Sequence, residues 1–201
     1  MPLARRCDCI HLSRALRLKD RIGIPQRCGH CELANFIPGT LSQARAALVA
    51  KRFVERFPSN AQGLLFAGDS GVGKTHLAAA IVREISLRNR ANVFFLEFGK
   101  MENPEGFPRE RALTASLLVI DDFGSGMPEG PAFSRFRELL EVRLRERKPI
   151  ILTAAQVRLR VICSGKSAES DTPPEAFLKR LPPAMLFSLL GQIRKIQIHG
   201  R

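Results

Sequence analysis

The sequence predicts an α/β fold, a parallel sheet sandwiched by helices around a phosphate-binding loop. Short apolar runs alternate with longer helical stretches from residue 63 onward, and strands that alternate with helices build parallel sheets covered on both faces. The octamer Gly68-Asp69-Ser70-Gly71-Val72-Gly73-Lys74-Thr75 matches G-x-x-x-x-G-K-[ST] and stands between an apolar run and a helical stretch, the context this motif requires. A length of 201 residues suits one domain with a short appendage.

Residues 1–40 are basic and Cys-rich, with turn residues at Gly23, Pro25, Gly29, Pro38 and Gly39. They read as an appendage outside the core, and residues 41–201 as the α/β domain. Leu41, Ala44, Leu48, Phe53 and Phe57 fit one face of an amphipathic helix that Pro58-Ser59-Asn60 ends. Gly63 to Ala67 is the first strand, buried on both faces because it is apolar throughout. Lys74 to Arg90 is a helix with Leu77, Ala80, Ile81, Ile85 and Leu87 on its apolar side. Val93 to Leu96 and Leu117 to Ile120 are the next strands. Phe133, Phe136, Leu140 and Leu144 mark a helix whose other faces carry Arg135, Arg137, Glu138, Glu141, Arg145 and Glu146. Pro149 to Leu152 forms a fourth strand, Pro174 to Leu190 a helical stretch, and Ile196 to Ile198 a fifth strand.

The composition narrows the function. With 45% hydrophobic and 25% charged residues the chain is globular rather than disordered. The net charge of +13 disfavours basic partners and suits a polyanion. No run of 18 apolar residues is present and the N-terminus lacks the apolar core of a signal peptide, so no membrane role and a cytoplasmic location are expected. Five cysteines in a reducing compartment suggest metal ligands or core residues before disulfides.

The octamer carries the chemistry. Its glycines let the backbone wrap closely and turn N–H groups inward. The helix that follows adds unpaired N–H groups and the positive end of its dipole. Lys74 reaches the β- and γ-phosphates in such loops, and the Thr75 hydroxyl binds Mg²⁺. Leu117-Leu118-Val119-Ile120-Asp121-Asp122 is an apolar strand that ends in two carboxylates, the Walker B pattern. Asp121 stands where a carboxylate holds Mg²⁺, and Asp122 where one polarises the attacking water. Catalytic roles therefore fall to Lys74, Asp121 and Asp122, and the Mg²⁺ ligands are Thr75 and Asp121.

These residues also carry a family resemblance. Arg21-Ile22-Gly23-Ile24-Pro25-Gln26-Arg27 with Cys31-Glu32-Leu33-Ala34-Asn35-Phe36, the loop Gly68 to Thr75 followed by His76-Leu77-Ala78, and Val119 to Gly124 resemble DnaC-type helicase loaders and IstB-like transposition helpers. The resemblance implies an AAA+ ATPase without the usual C-terminal helical lid, acting as an oligomer, with ATP held by Gly68 through His76. It implies ATP-controlled binding to single-stranded DNA and a replicative helicase or, in the transposition branch, to duplex DNA and a transposase. A third expectation is a non-hydrolysing adaptor. It rests on two departures from the family pattern: Ala155 stands where a sensor Asn is expected, with Thr153 or Gln156 as substitutes, and Leu189 stands where a trans-acting arginine is expected, with Arg180 or Arg194 as substitutes.

Cys7-x-Cys9 and Cys28-x-x-Cys31 offer four thiolates for a structural Zn²⁺, with His11 and His30 as stand-ins. Vestigial free thiols are the alternative, and Cys163 has no partner pattern. The basic residues Arg5, Arg6, Arg14, Arg17, Lys19, Arg21 and Arg27 suit phosphate contacts or a solvated terminus. Arg143, Arg145, Arg147 and Lys148 alternate with glutamates as on an ion-paired helix face, and Arg88, Arg90, Arg109 and Arg111 are candidates for a DNA groove.

Overall fold

The computed structural model describes residues 21–59, 62–125, 130–155 and 178–200. Five parallel strands, β1 (Gly63–Gly68), β2 (Val93–Glu97), β3 (Leu117–Phe123), β4 (Ile150–Ala154) and β5 (Ile193–Ile198), lie in the order β2-β3-β4-β1-β5. Because every pairing is parallel, the loops after β1, β4 and β3 leave the sheet side by side at one end.

Alternate residues of the strands face opposite layers, as the two-residue pleat requires. Leu65, Ala67, Leu118, Ile120 and Leu152 pack under α3 (Arg109–Thr114), α4 (Pro131–Arg145) and α5 (Pro183–Gln192). Leu64, Phe66, Val119 and Ile151 pack under α1 (Leu41–Arg56) and α2 (Lys74–Asn89). A capping box starts α1: Thr40 Oγ1 accepts from the Gln43 amide, and Gln43 Oε1 accepts from the Thr40 amide.

Five expectations need correction. Leu87, placed on the apolar side of α2, is 57% exposed, because the buried face runs through Leu77, Ala80, Ile81 and Ile85 and ends before the last turn. The buried stripe of α1 is Ala46, Ala50, Phe53 and Val54, whereas Leu41 is 80% and Leu48 48% exposed. Residues 21–40 do not stay outside the core: Ile22, Ile24, Cys28 and Cys31 are buried in the α1–α2 layer. Gly23 sits so close to β2 that a Cβ there would stand 2.5 Å from the Phe95 carbonyl oxygen. Arg143 belongs to no ion-paired surface. It is fully buried and donates to the carbonyls of Ala112 (3.1 Å), Ala115 (2.9 Å) and Pro149 (2.6 Å). The last helix is broken at Pro182, and among the described residues of that stretch only α5 is a full helix, running straight into β5. A 3₁₀ turn at Phe98–Met101 and the short α3 add to the elements read from the sequence.

No helix among the described residues is long and apolar enough to cross a membrane.

Candidate functional site

The nucleotide loop follows from β1 ending in a glycine-rich turn. Gly71 and Gly73 have φ of +78° and +95°, the left-handed region that glycine enters at no steric cost. At Gly73 a Cβ would also meet the Phe36 ring at 2.5 Å, so the loop and the N-terminal segment touch where only glycine fits. The first turn of α2 then places Lys74 and Thr75 over the sheet end. Lys74 Nζ donates to the carbonyls of Gly68 (2.8 Å) and Asp69 (2.6 Å), at the mouth of the loop. Partial burial pulls its pKa down, against Asp122, Asp121 and Asp69, which pull it up.

Asp121 organises the rest. Its Oδ1 accepts from Thr75 Oγ1 at 2.8 Å and from Thr153 Oγ1 at 2.6 Å. Thr153 Oγ1 in turn accepts from the Asp122 amide at 2.9 Å. Asp121 Oδ2 faces Arg27 Nη2 at 3.7 Å, and the same nitrogen pairs with Glu97 Oε1 at 2.6 Å. Burial pushes the Asp121 carboxyl up; Thr153, Thr75 and Arg27 oppose this, and Asp122 adds to it. Asp122 is exposed at the strand end with φ +57°. A cavity of about 360 Å³ is lined by Ser70, Gly71, Gly73, Lys74, Thr75, His76, Asp121, Asp122, Thr153 and Arg27.

The structure therefore gathers most of the sequence-derived site at one place. Gly68, Asp69 and Val72 shape the loop without lining the cavity: the first two accept from Lys74, and the Val72 carbonyl accepts from Gln43 Nε2. His76 Nε2 donates to the Glu32 carbonyl at 3.0 Å, and its ring lies edge-on to Phe36. Of the two sensor substitutes, Thr153 is at the site, while Gln156 lies outside the described residues. Arg27 and Glu97 were missed as site residues. The only signal for Arg27 was its place in the Gly-Ile-Pro-x-Arg string.

Other candidates do not join this cavity. Leu189 is fully buried. Arg194 is in register with Leu64, at the sheet end opposite the loop, so within its own chain it stands away from the nucleotide site. A larger cavity, about 680 Å³, opens at that opposite end beside Arg143 and Lys148 and holds none of the motif residues. Cys28 and Cys31 are buried free thiols, and burial pushes the Cys31 thiol up to about 11. Among the described residues no three His, Cys, Asp or Glu side chains cluster as metal ligands; Cys7, Cys9, His11 and Cys163 lie outside them, as do Arg5, Arg6, Arg14, Arg17 and Lys19. Three of the four arginines read as a DNA groove are engaged separately: Arg88 with Glu84, Arg109 with Glu138, and Arg111 with the Arg21 carbonyl and the Phe94 ring.

Comparison with known proteins follows this geometry. The replicative helicase loader DnaC of Escherichia coli strain K12 is 30% identical over 125 residues, 56% of this chain and 51% of its own length. The chain thus spans about half the length of the curated loaders it matches. A crystal structure of the DnaC helicase loader superposes with a TM-score of 0.69 at 25% identity, covering 87% of this chain and 99% of that one. The chain is thus similar in sequence and in fold to DnaC helicase loaders. An IS232 insertion-sequence protein of Bacillus thuringiensis, described as ATP-binding, is 28% identical over 175 residues, 82% of this chain and 66% of its own length. No protein-family model matches. The fold is that of AAA+ P-loop domains, with the loop, the acidic strand end and Thr153 on three neighbouring strands.

Proposed function

We propose that this chain binds Mg²⁺·ATP and acts in DNA replication as a helicase loader, coupling ATP binding and hydrolysis to contacts with single-stranded DNA and a replicative helicase. The observation that carries the reading is the convergence of the Thr75 and Thr153 hydroxyls on one oxygen of the buried Asp121, beside Lys74 in the glycine loop. Lys74 gives up its two carbonyl partners for phosphate oxygens. Thr75 and Asp121 are the residues that would hold Mg²⁺, which supplies charge neutralisation on the phosphates. Thr153 fixes the Asp121 carboxylate and, through the Asp122 amide, the direction of the Asp122 side chain. Asp122 is the group that orients water for attack on the terminal phosphate. DNA contact is supported by the charge of +13.

Equilibrium dialysis with ATP and Mg²⁺ tests the binding step. Wild type takes up nucleotide, and Lys74→Ala, folded by circular dichroism, does not; equal uptake by both refutes the site. Asp122→Asn should keep binding and lose turnover. A pull-down in ATP then tests the partner, with a hexameric helicase recovered if the reading holds.

Two other readings keep specific support. The greater span of the match to the IS232 protein favours a transposition helper, which would recover a transposase instead. The buried Leu189 favours an adaptor that holds ATP intact; turnover in the presence of DNA would refute it.

A further inference from the structure

The outer face of α1, running from beside the nucleotide loop to the opposite end of the sheet, carries cations that do not line the nucleotide cavity. On α1, Arg45, Arg52 and Arg56 fall at i, i+7 and i+11, so they share one stripe of the helix, about 40° wide at roughly 100° per residue. Their Cα positions are about 10 and 6 Å apart along the axis at 1.5 Å per residue. All three are exposed. Arg194, exposed at the start of β5, comes up against the C-terminal end of this stripe. There Arg52, Arg56 and Arg194 line one pocket of about 150 Å³, with Val49, Phe53 and Leu64 in its walls.

Among the described residues no carboxylate lines the pocket. The ion pairs among the described residues use other arginines: Arg27, Arg83, Arg88 and Arg109. Glu55, the only acid on α1, stands four residues after Lys51 and three after Arg52, but it forms no ion pair with either and does not line the pocket. Three guanidinium groups brought together without an acid repel one another, and an anion relieves that repulsion. Edge-strand protection accounts for a charge on β5, since charged residues block edge pairing. It does not account for a matching stripe on the neighbouring helix.

We infer that this stripe and pocket bind the phosphodiester backbone of a nucleic acid. The inference rests on the DNA-binding reading above and names the surface that reading lacks. A pocket of this volume takes one phosphate group, and the Arg52–Arg56 spacing serves successive phosphates. Phe53, the aromatic among the pocket's lining residues, is buried, so the pocket presents no exposed ring for base stacking. The contact is therefore to the backbone and independent of sequence.

The test is fluorescence anisotropy with labelled single-stranded and duplex oligonucleotides across a salt series. It compares wild type, Arg52→Gln/Arg56→Gln, Arg194→Gln and the charge-matched control Arg88→Gln/Arg109→Gln. Losing two phosphate contacts should flatten the slope of log K against log salt by about 1.5–2 and weaken binding on the order of 30-fold at 0.1 M salt. Arg194→Gln should lose about half that slope change, and the control should stay near wild type. Nucleotide uptake by the Arg52→Gln/Arg56→Gln protein, measured by dialysis, confirms that it is folded. Equal losses in the two double variants would reduce the effect to bulk charge and overturn the inference. So would wild-type DNA affinity in Arg52→Gln/Arg56→Gln, which leaves the DNA-binding reading standing. A wild-type protein that binds no oligonucleotide at all defeats both.

Discussion

Replacing Thr153 by valine keeps the shape of the side chain and removes one hydroxyl from the centre of the site. That hydroxyl donates to Asp121 at 2.6 Å and accepts from the Asp122 amide at 2.9 Å. A hydrogen bond to a charged group contributes about 1.5–3 kcal/mol, and a buried N–H left without a partner costs about 1–3 kcal/mol. The hydrogen bond from the Asp122 amide is only partly buried, so part of the second cost is recovered. The expected loss is about 2–4 kcal/mol. With a urea m-value of about 2 kcal/mol/M, the unfolding midpoint should fall by about 1–2 M. Thr153→Ser keeps the hydroxyl and should recover most of it. The loss should also depend on pH. Burial raises the Asp121 pKa above its unfolded value, so ionisation of this group opposes folding, and its effect on stability grows less favourable as pH rises through the interval between the two values. The Thr153 hydroxyl stabilises the ionised form; its removal is therefore felt fully at alkaline pH and fades on acidification. A Thr153→Val protein that unfolds at the wild-type midpoint at pH 8, or whose deficit grows in acid, would refute this account of the site.

Arg143→Ala removes three carbonyl hydrogen bonds from a buried guanidinium and should cost about 3–5 kcal/mol in denaturant unfolding. Burial lowers the Arg143 pKa to about 10, so the unfolded chain binds this proton more tightly; the difference in stability between wild type and Arg143→Met should move in favour of wild type as pH rises above about 10. Gly73→Ala should abolish nucleotide uptake because the new Cβ meets Phe36, whereas Gly71→Ala, with open space around it, bears only the strain of a left-handed alanine, about 1–2 kcal/mol, and should weaken uptake by roughly tenfold. Arg27→Gln should change stability by less than about 1 kcal/mol, since its side chain is largely exposed, and calorimetric melting checks this.

The parts of the fold that were legible are those set by short-range pattern. The β1 run is apolar at nearly every position because both its faces are covered, and the octamer after it states its own geometry. Errors came where size and burial part company. On α1 the large residues Leu41 and Leu48 suggested the inward face, but α1 packs on α2 through Ala46 and Ala50, where small side chains let the helices approach. Arg143 was hidden by its charge. Its spacing from Phe136, Leu139 and Leu140 places it on their stripe, and that spacing was the signal that it points inward. Arg27 had no such signal, since its partners Glu97 and Asp121 are 70 and 94 residues away and only the fold brings them together.

That last contact bears on how the site works. A carboxylate as buried as Asp121 needs compensating charge or hydrogen bonds to stay ionised. Two hydroxyls serve Oδ1, and the cation nearest Oδ2 comes from the N-terminal segment rather than from the loop. The same segment holds His76 through the Glu32 carbonyl and fills the space beside Gly73 with Phe36. Residues 27, 32 and 36 thus touch the acidic strand end, the first turn of α2 and the glycine loop. A divalent cation held at Asp121 would add positive charge where Arg27 already stands, so removing Arg27 should strengthen Mg²⁺ binding, and titration of Arg27→Gln with Mg²⁺ against wild type checks this.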